Sequence, residues 1–366
     1  MFPVAFQNTL GRMRGMQRRT FLWGATLLAC ERGRTTSEPS APVGGRGTSS
    51  GEAKPGAKER PAKNAIAKRP LGNTGEAVSS LGLGGYHIGL PEENEAIRLM
   101  HRAIDGGMTF FDNSWGYHEG ESERRMGKAL RGGKRSKVFL MTKIDGRTYE
   151  AAQQQIDQCL RRLQTDHVDL MQIHEVIRHS DAPWVFGEKG AIAALREAKR
   201  AGKIRHVGFT GHKSPEVHLG MLREADAHDF RFDAVQLPLN VVDPHYKSFE
   251  KHVLPVLVEK NIAVLGMKPL GSGAILDSGK VTAEECLRYA LSLPTSVVIT
   301  GCDREEILDQ ALRVGHTFKP YTAEEMKELV ARTAPYAGEG KHEGYKTSER
   351  FDSTTRTPHI MTRASY

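Results

Sequence analysis

From about residue 78 the chain repeats one unit eight times: a short β-branched or apolar run, a polar turn, then an amphipathic stretch. The periodicity predicts strands over Val78–Gly82, Thr109–Asp112, Val138–Lys143, Val168–His174, Ile204–Thr210, Ala234–Leu239, Ile262–Met267 and Ser296–Thr300. Between the first two, Ala96, Ile97, Met100, Ala103 and Ile104 recur at i, i+3, i+4 spacing and mark the apolar face of a helix. Further helices are predicted over about 122–131, 149–163, 190–201, 214–225, 247–259, 282–291 and 303–312. Strands apolar on both faces, each followed by a helix, require a parallel sheet with helices covering it. Eight such units, spaced by about 30 residues, predict a closed (β/α)8 TIM barrel, an α/β fold. The rival doubly wound sheet wants a Gly-x-Gly-x-x-Gly turn after its first strand, and none is present. Ahead of the repeat, Pro70-Leu71-Gly72-Asn73-Thr74-Gly75 reads as the turn of an N-terminal hairpin across the barrel floor.

The 366 residues are 39% hydrophobic and 26% charged, enough for a sizeable core and unlike a disordered chain. The formal charge of +8 is unevenly placed: residues 1–69 hold 13 Lys/Arg against 4 Asp/Glu, and the remainder holds 39 against 40. A near-neutral body gives no electrostatic ground for a nucleic-acid partner. Cys159, Cys286 and Cys302 lack metal-ligand spacing and are expected as buried small residues, and no metal site is predicted.

Residues 1–30 read as an address. Arg18-Arg19-Thr20-Phe21-Leu22 and the apolar run that follows resemble a twin-arginine export signal, and Leu27-Leu28-Ala29-Cys30 resembles a lipobox. The run is far below the ~20 residues of a membrane-spanning helix. These resemblances imply an exported chain in the cell envelope or periplasm, tethered to a membrane through a lipidated Cys30; a misassigned start would instead leave it cytoplasmic. Residues 31–67, rich in Ser, Pro, Gly, Lys and Ala, are expected as a disordered linker, residues 68–335 as the barrel, and residues 336–366 as a polar C-terminal tail.

In such a barrel the reactive groups gather at the C-terminal ends of the strands. Asp112 ends the second predicted strand, Tyr117 follows in the loop, Lys143 ends the third and His174 ends the fourth. Taken singly, these are a helix cap, a packing tyrosine, a snorkelling lysine and a structural histidine. Together they form one cluster on successive strand ends.

With its FFDNSWGY, FLMTK, LMQIH and VGFTGH segments in order, the chain from about 68 to 335 resembles the aldo-keto reductases. The resemblance implies reversible reduction of a small-molecule carbonyl by a nicotinamide dinucleotide, with Asp112, Tyr117, Lys143 and His174 as the catalytic tetrad. Tyr117 would be the acid, Lys143 the cation that makes it acidic, Asp112 the anchor of Lys143, and His174 a hydrogen-bond donor to the carbonyl oxygen. The resemblance also implies cofactor contacts from Gly84, Gly85 and Tyr86 after the first strand, and from Thr210, Gly211, His212 and Gln236 around the carboxamide. Met267 would lie on the nicotinamide, with Lys268, Leu270, Ser272, Gly273 and Arg304 toward the phosphates.

The family's clamp on the 2′-phosphate is not matched, since Cys302, Asp303 and Ile307 fall in that stretch. NADP is therefore the family expectation, with NAD as the alternative. Tyr86, Trp115 and Trp184 are expected to line the substrate mouth. Two other classes share the scaffold. A nucleotide-binding regulatory subunit would not need the tetrad, and a metal-dependent hydrolase would want several His/Asp ligands at strand ends.

Overall fold

The hairpin lies where the turn residues place it, in a computed structural model that describes residues 65–363. Strands β1 (Lys68–Pro70) and β2 (Ala77–Ser79) pair antiparallel, with Arg69 opposite Val78. Gly72 turns at φ +53°, and a Cβ there would stand 2.5 Å from the backbone nitrogen of Ala263, so the turn is pressed onto the sheet beneath it. Ser79 Oγ accepts hydrogen bonds from the Thr109 and Phe110 amides, both 3.0 Å. Arg69 donates to the Thr295 and Leu291 carbonyls. The hairpin thus closes the N-terminal end of the barrel by bonding to the starts of separate strands.

Eight strands follow: β3 (Leu81–Gly84), β4 (Phe110–Asp112), β5 (Phe139–Ile144), β6 (Val168–Ile173), β7 (Ile204–Thr210), β8 (Ala234–Pro238), β9 (Ala263–Met267) and β10 (Val297–Gly301). They pair in parallel in chain order, and β10 closes on β3 with Gly301 opposite Gly84. The predicted strand Val78–Gly82 straddles two elements. The chain turns between Ser79 and Leu81, so its first half belongs to the hairpin and its second to the barrel. Leu71 and Val78 fill the barrel interior together with Phe110, Met141, Leu170 and Leu265. Helices such as Glu93–Asp105 and Tyr149–Leu163 cover the outside, burying Ala96, Met100, Ala103 and Ile104 of the predicted face. The helix expected over 247–259 is two pieces, Phe249–His252 and Leu254–Glu259, because Pro255 has no amide hydrogen to continue the ladder.

Both predicted boundaries of the folded body require correction. Ile66, inside the expected linker, is buried against Gly315 and Leu81, so the body begins before residue 68. At the other end, residues 336–363 are no loose tail. Tyr345 and Ile360 are fully buried, the Ile360 carbonyl accepts from Gln155 Nε2, and the Met361 carbonyl accepts from the Arg147 amide. The segment has no apolar period because its partners are charges: Lys346 Nζ, fully buried, bonds Asp243 and Glu343.

The signal, the lipobox Cys30 and the linker up to residue 64 lie outside the described residues. Among the described residues no helix is long and apolar enough to cross a membrane. Cys159, Cys286 and Cys302 are buried and form no disulfide among the described residues, and burial pushes the thiols of Cys286 and Cys302 up to about 12.

Candidate active site

The strand register brings the four predicted residues to one place. Asp112 ends β4 and Lys143 stands on the neighbouring β5, where its fully buried ammonium donates to Asp112 Oδ1 and, at 2.7 Å, to the Asn113 carbonyl. Its third donor direction points to Tyr117 Oη, 3.4 Å away. Asp112 Oδ2 takes a 2.9 Å bond from Gln236 Nε2 across the barrel, so both carboxylate oxygens are engaged. Such a buried pair is held by its own geometry. Removing one partner typically costs about 3–5 kcal/mol, because the other charge is left stranded. Gly85 permits the arrangement. A Cβ there would lie 2.3 Å from the Asp112 carbonyl, so only glycine lets the chain after β3 pass this close to the carboxylate's backbone.

The phenol does not become acidic as expected. Burial first, then the Asp112, Glu175 and Asp145 carboxylates, push Tyr117 well above its ordinary value, which outweighs the lysine beside it. Burial likewise lowers Lys143, against the pull of Asp112. Tyr117 therefore holds its proton at neutral pH, the state a proton donor needs.

His174 directly follows β6, and its amide donates to the Ile144 carbonyl at 2.8 Å. The ring stands edge-on to Tyr117, with centroids 5.7 Å apart, and Tyr86 also packs edge-on to the phenol, at 5.5 Å. His174 Nδ1 faces Asp145 Oδ1 at 2.9 Å and Ser114 Oγ at 3.2 Å. Arg147, fully buried, donates to the carbonyls of Asp145, His174 and Glu175 and pairs with Asp181. Glu175 sits at φ +50°, and its carboxylate accepts from the amides and hydroxyls of Ser353 and Thr354. Burial alone would raise this carboxyl, but the neighbouring His174 and His212 and the Thr354 and Ser353 bonds bring it down to about 2. Sequence reasoning missed Ser114, Asp145, Arg147, Glu175 and the segment carrying Asp352. Each acts through a partner distant in the chain, and the only local hint was a run of polar residues just past two strand ends.

A nicotinamide dinucleotide fits part of the predicted cradle. Gln236 Oε1 is buried with no hydrogen-bond partner among the described residues, an acceptor suited to an amide N–H. Thr210 ends β7 beside it, with Oγ1 3.9 Å from the sulfur of half-buried Met267. The Lys268 ammonium has neither a hydrogen bond nor an ion pair among the described residues and lies against the Tyr345 and Phe351 rings, at 5.2 and 4.9 Å. Burial lowers it to about 8, leaving a cation with unused donors suited to a phosphate. Ser272 and Gly273 are exposed at φ +60° and +92°, and a Cβ on Gly273 would meet open space.

Other predicted contacts are spent elsewhere. The space that Gly84 and Gly85 leave is taken by the backbones of β10 and β4, and that of Gly211 by the Val176 carbonyl 2.1 Å from its would-be Cβ, so none of the three is an open cradle. His212 gives Nε2 to Asp352 at 2.9 Å, Leu270 packs onto the core, and Arg304 is held by Asp303 on the surface.

The substrate mouth needs a similar correction. Tyr86 is 50% exposed beside Tyr117, as expected. Trp115 is 0% exposed and donates Nε1 to Gln158, its ring taken into the core under Arg162. Trp184, 37% exposed, sits on the helix Asp181–Phe186, which packs against the helices Ala191–Arg200 and Pro215–Ala227 rather than against the tyrosine pair.

Comparisons with known proteins bear on the family and the fold. The chain is 32% identical over 235 residues to L-galactose dehydrogenase of Arabidopsis thaliana, covering 58% of this chain and 68% of that protein. It is 30% identical over 226 residues to the uncharacterized oxidoreductase YrpG of Bacillus subtilis, covering 56% and 67%. In fold it is similar to the holo form of aldo-keto reductase AKR11C1 from Bacillus halodurans. That likeness has a TM-score of 0.63 at 22% identity, over 76% of this chain and 99% of the other. The sequence model of the aldo/keto reductase family matches residues 80–284, and the chain belongs to that family.

Proposed function

We propose that the protein reduces an aldehyde or ketone to an alcohol, reversibly, with Asp112, Tyr117, Lys143 and His174 as its working residues. The observation that carries this reading is the hydrogen-bonded line from Asp112 through Lys143 Nζ to Tyr117 Oη at the C-terminal ends of the strands. When bound, a reduced nicotinamide supplies the hydride that adds to the carbonyl carbon. Tyr117 gives its hydroxyl proton to the carbonyl oxygen as negative charge develops there. General acid catalysis of this kind is worth roughly 10²–10⁴ in rate. Lys143 donates to the phenolic oxygen and so stabilises the phenolate left behind, while Asp112 and the Asn113 carbonyl fix the ammonium in line. His174 adds a second donor, beside Tyr117, to the carbonyl oxygen. One such donor is typically worth about 10²–10³ in turnover. Gln236, Thr210, Met267 and Lys268 would hold the dinucleotide, the lysine meeting phosphate.

NADPH is the coenzyme proposed on family grounds and NADH is its competitor, since Arg304 is engaged by Asp303 rather than free for a 2′-phosphate. Comparing kcat/KM for the two decides between them. The envelope location proposed rests on Arg18-Arg19 and Cys30 alone, and fractionation that finds the chain only in cytosol would remove it.

Tyr117→Phe tests the assignment. Turnover of a carbonyl panel is expected to fall by about 10²–10⁴ while coenzyme binding, read by fluorescence titration, is kept. A variant with wild-type kcat would refute it.

A further inference from the structure

We propose that Asp145 is a positioning residue for this reduction: it fixes a proton on His174 Nδ1 and, by its charge, supports the ring as an imidazolium, so that Nε2–H can donate to the carbonyl oxygen. The inference rests on the carbonyl-reduction reading and adds a fifth residue to it.

Asp145 is fully buried two residues beyond Lys143, just past the end of β5, yet its carboxylate is poorly provided for. Oδ1 meets His174 Nδ1 at 2.9 Å, and Oδ2 is buried with no hydrogen-bond partner among the described residues. A half-bonded carboxylate in the interior is costly unless a positive group stands beside it. The nearby cation Arg147 does not serve. Its donors go to the main-chain carbonyls of Asp145, His174 and Glu175 and to the Asp181 carboxylate. The Asp145 backbone is pinned independently, its amide donating to Gln155 Oε1 at 2.8 Å, so the fold in this loop does not require the side-chain charge. Among the described residues His174 is the one group hydrogen-bonded to that carboxylate.

An ionised carboxylate can only accept, so Nδ1 must carry the hydrogen. A neutral ring with its hydrogen on Nδ1 has a bare lone pair at Nε2, which cannot donate to a carbonyl oxygen. Nε2 has no hydrogen-bond partner among the described residues and lies in a ring edge-on to Tyr117. Donation from Nε2 therefore needs a second proton on the ring, and the Asp145 charge favours it. His174 keeps both protons through the reaction, and the proton that reaches oxygen comes from Tyr117. The groups around the ring are Ser114 and Tyr117 from the loop after β4, with Lys143 behind the phenol. Asp145 faces it from the end of β5, Glu175 and the Arg147-bound carbonyl belong to its own segment, and His212 lies beyond Glu175.

The test is Asp145→Asn, nearly identical in shape but uncharged. Turnover is expected to fall about ten- to a hundredfold, as for residues that orient a working histidine. The alkaline limb of the kcat profile should move to lower pH by about one unit, since the imidazolium loses its counter-charge. The coenzyme Kd should stay within about twofold, because Asp145 touches no residue of the proposed coenzyme cradle. In a His174→Gln background the same substitution should cost little. Nitrogen spectra of ¹⁵N-histidine protein should show both His174 nitrogens protonated at the pH of maximal reduction, and in the variant a neutral ring with its hydrogen on Nδ1 and Nε2 bare. An unmoved limb, an equal cost in the His174→Gln background, or a neutral wild-type ring at that pH would overturn the proposal. If the wild-type chain reduces no carbonyl the reduction reading fails, and the spectra, taken at neutral pH, still decide whether Asp145 sets the ring's protonation.

Discussion

Replacing Glu175 by Gln should loosen residues 343–363 from the barrel while leaving the eight strands in place. Glu175 Oε1 accepts from the Ser353 amide at 3.0 Å and hydroxyl at 2.7 Å, and Oε2 accepts from the Thr354 amide and hydroxyl, both at 2.8 Å. An amide nitrogen in place of either oxygen turns N–H toward N–H. At least one buried backbone donor is left unpaired, at a cost of about 1–3 kcal/mol, and the remaining bonds lose their charge assistance. Titration gives a total for the carboxylate in the fold, in which the neighbouring His174 and His212 come ahead of the Thr354 and Ser353 bonds. A carboxyl at about 2 in the fold and at its ordinary 4.5 in the open chain is worth about 3 kcal/mol at neutral pH. The pKa is depressed on folding, so this stabilisation is fully present above 4.5 and is lost as the pH falls through 2. Hydrogen exchange at pH 7 should show amides of 343–363 losing about a hundredfold of protection in the variant. Melting curves of the two proteins should converge as the pH is lowered toward 2. Equal protection at neutral pH, or a gap that persists in acid, would refute the reasoning.

Two further perturbations address the site itself. Gly85→Ala forces a methyl to within 2.3 Å of the Asp112 carbonyl. The Asp112–Asn113 backbone that aims Lys143 must then move, and we expect a stability loss of about 1–3 kcal/mol in urea unfolding together with a turnover loss of at least about tenfold. Lys268→Met should weaken coenzyme binding about tenfold in fluorescence titration, through loss of one charge-assisted contact. Because Lys268 titrates at about 8, wild-type affinity should decline as the pH rises through that value, whereas the variant's should be flat there.

The barrel was legible in the chain because it rests on local periodicity. Each run of β-branched residues names a strand, and the register then sets Asp112 opposite Met141, two residues before Lys143 on the neighbouring strand. Val78–Gly82 was misread because hairpin and barrel strands are equally apolar and the turn between them spans only Ser80. Trp115 illustrates a different limit. A tryptophan two residues before a predicted acid suggests a pocket wall, but whether its ring turns outward or under Arg162 depends on packing from a helix some forty residues away. Residues 343–363 were hidden for the same reason at larger scale. Lys346, Asp352, Ser353 and Thr354 look solvated until their partners Asp243, His212 and Glu175 are brought alongside.

The braces supplied by residues 343–363 also set a timetable. A nascent chain translated through residue 342 carries all eight strands and the helices that cover them. It still lacks Ser353 and Thr354 for Glu175, Asp352 for His212, and the Ile360 and Met361 carbonyls for Gln155 and Arg147. The strands and their covering helices are therefore synthesised before any of these braces. A message cut short after residue 342 would encode the whole barrel and none of the contacts that tie Glu175, His212, Gln155 and Arg147 to the C-terminal segment.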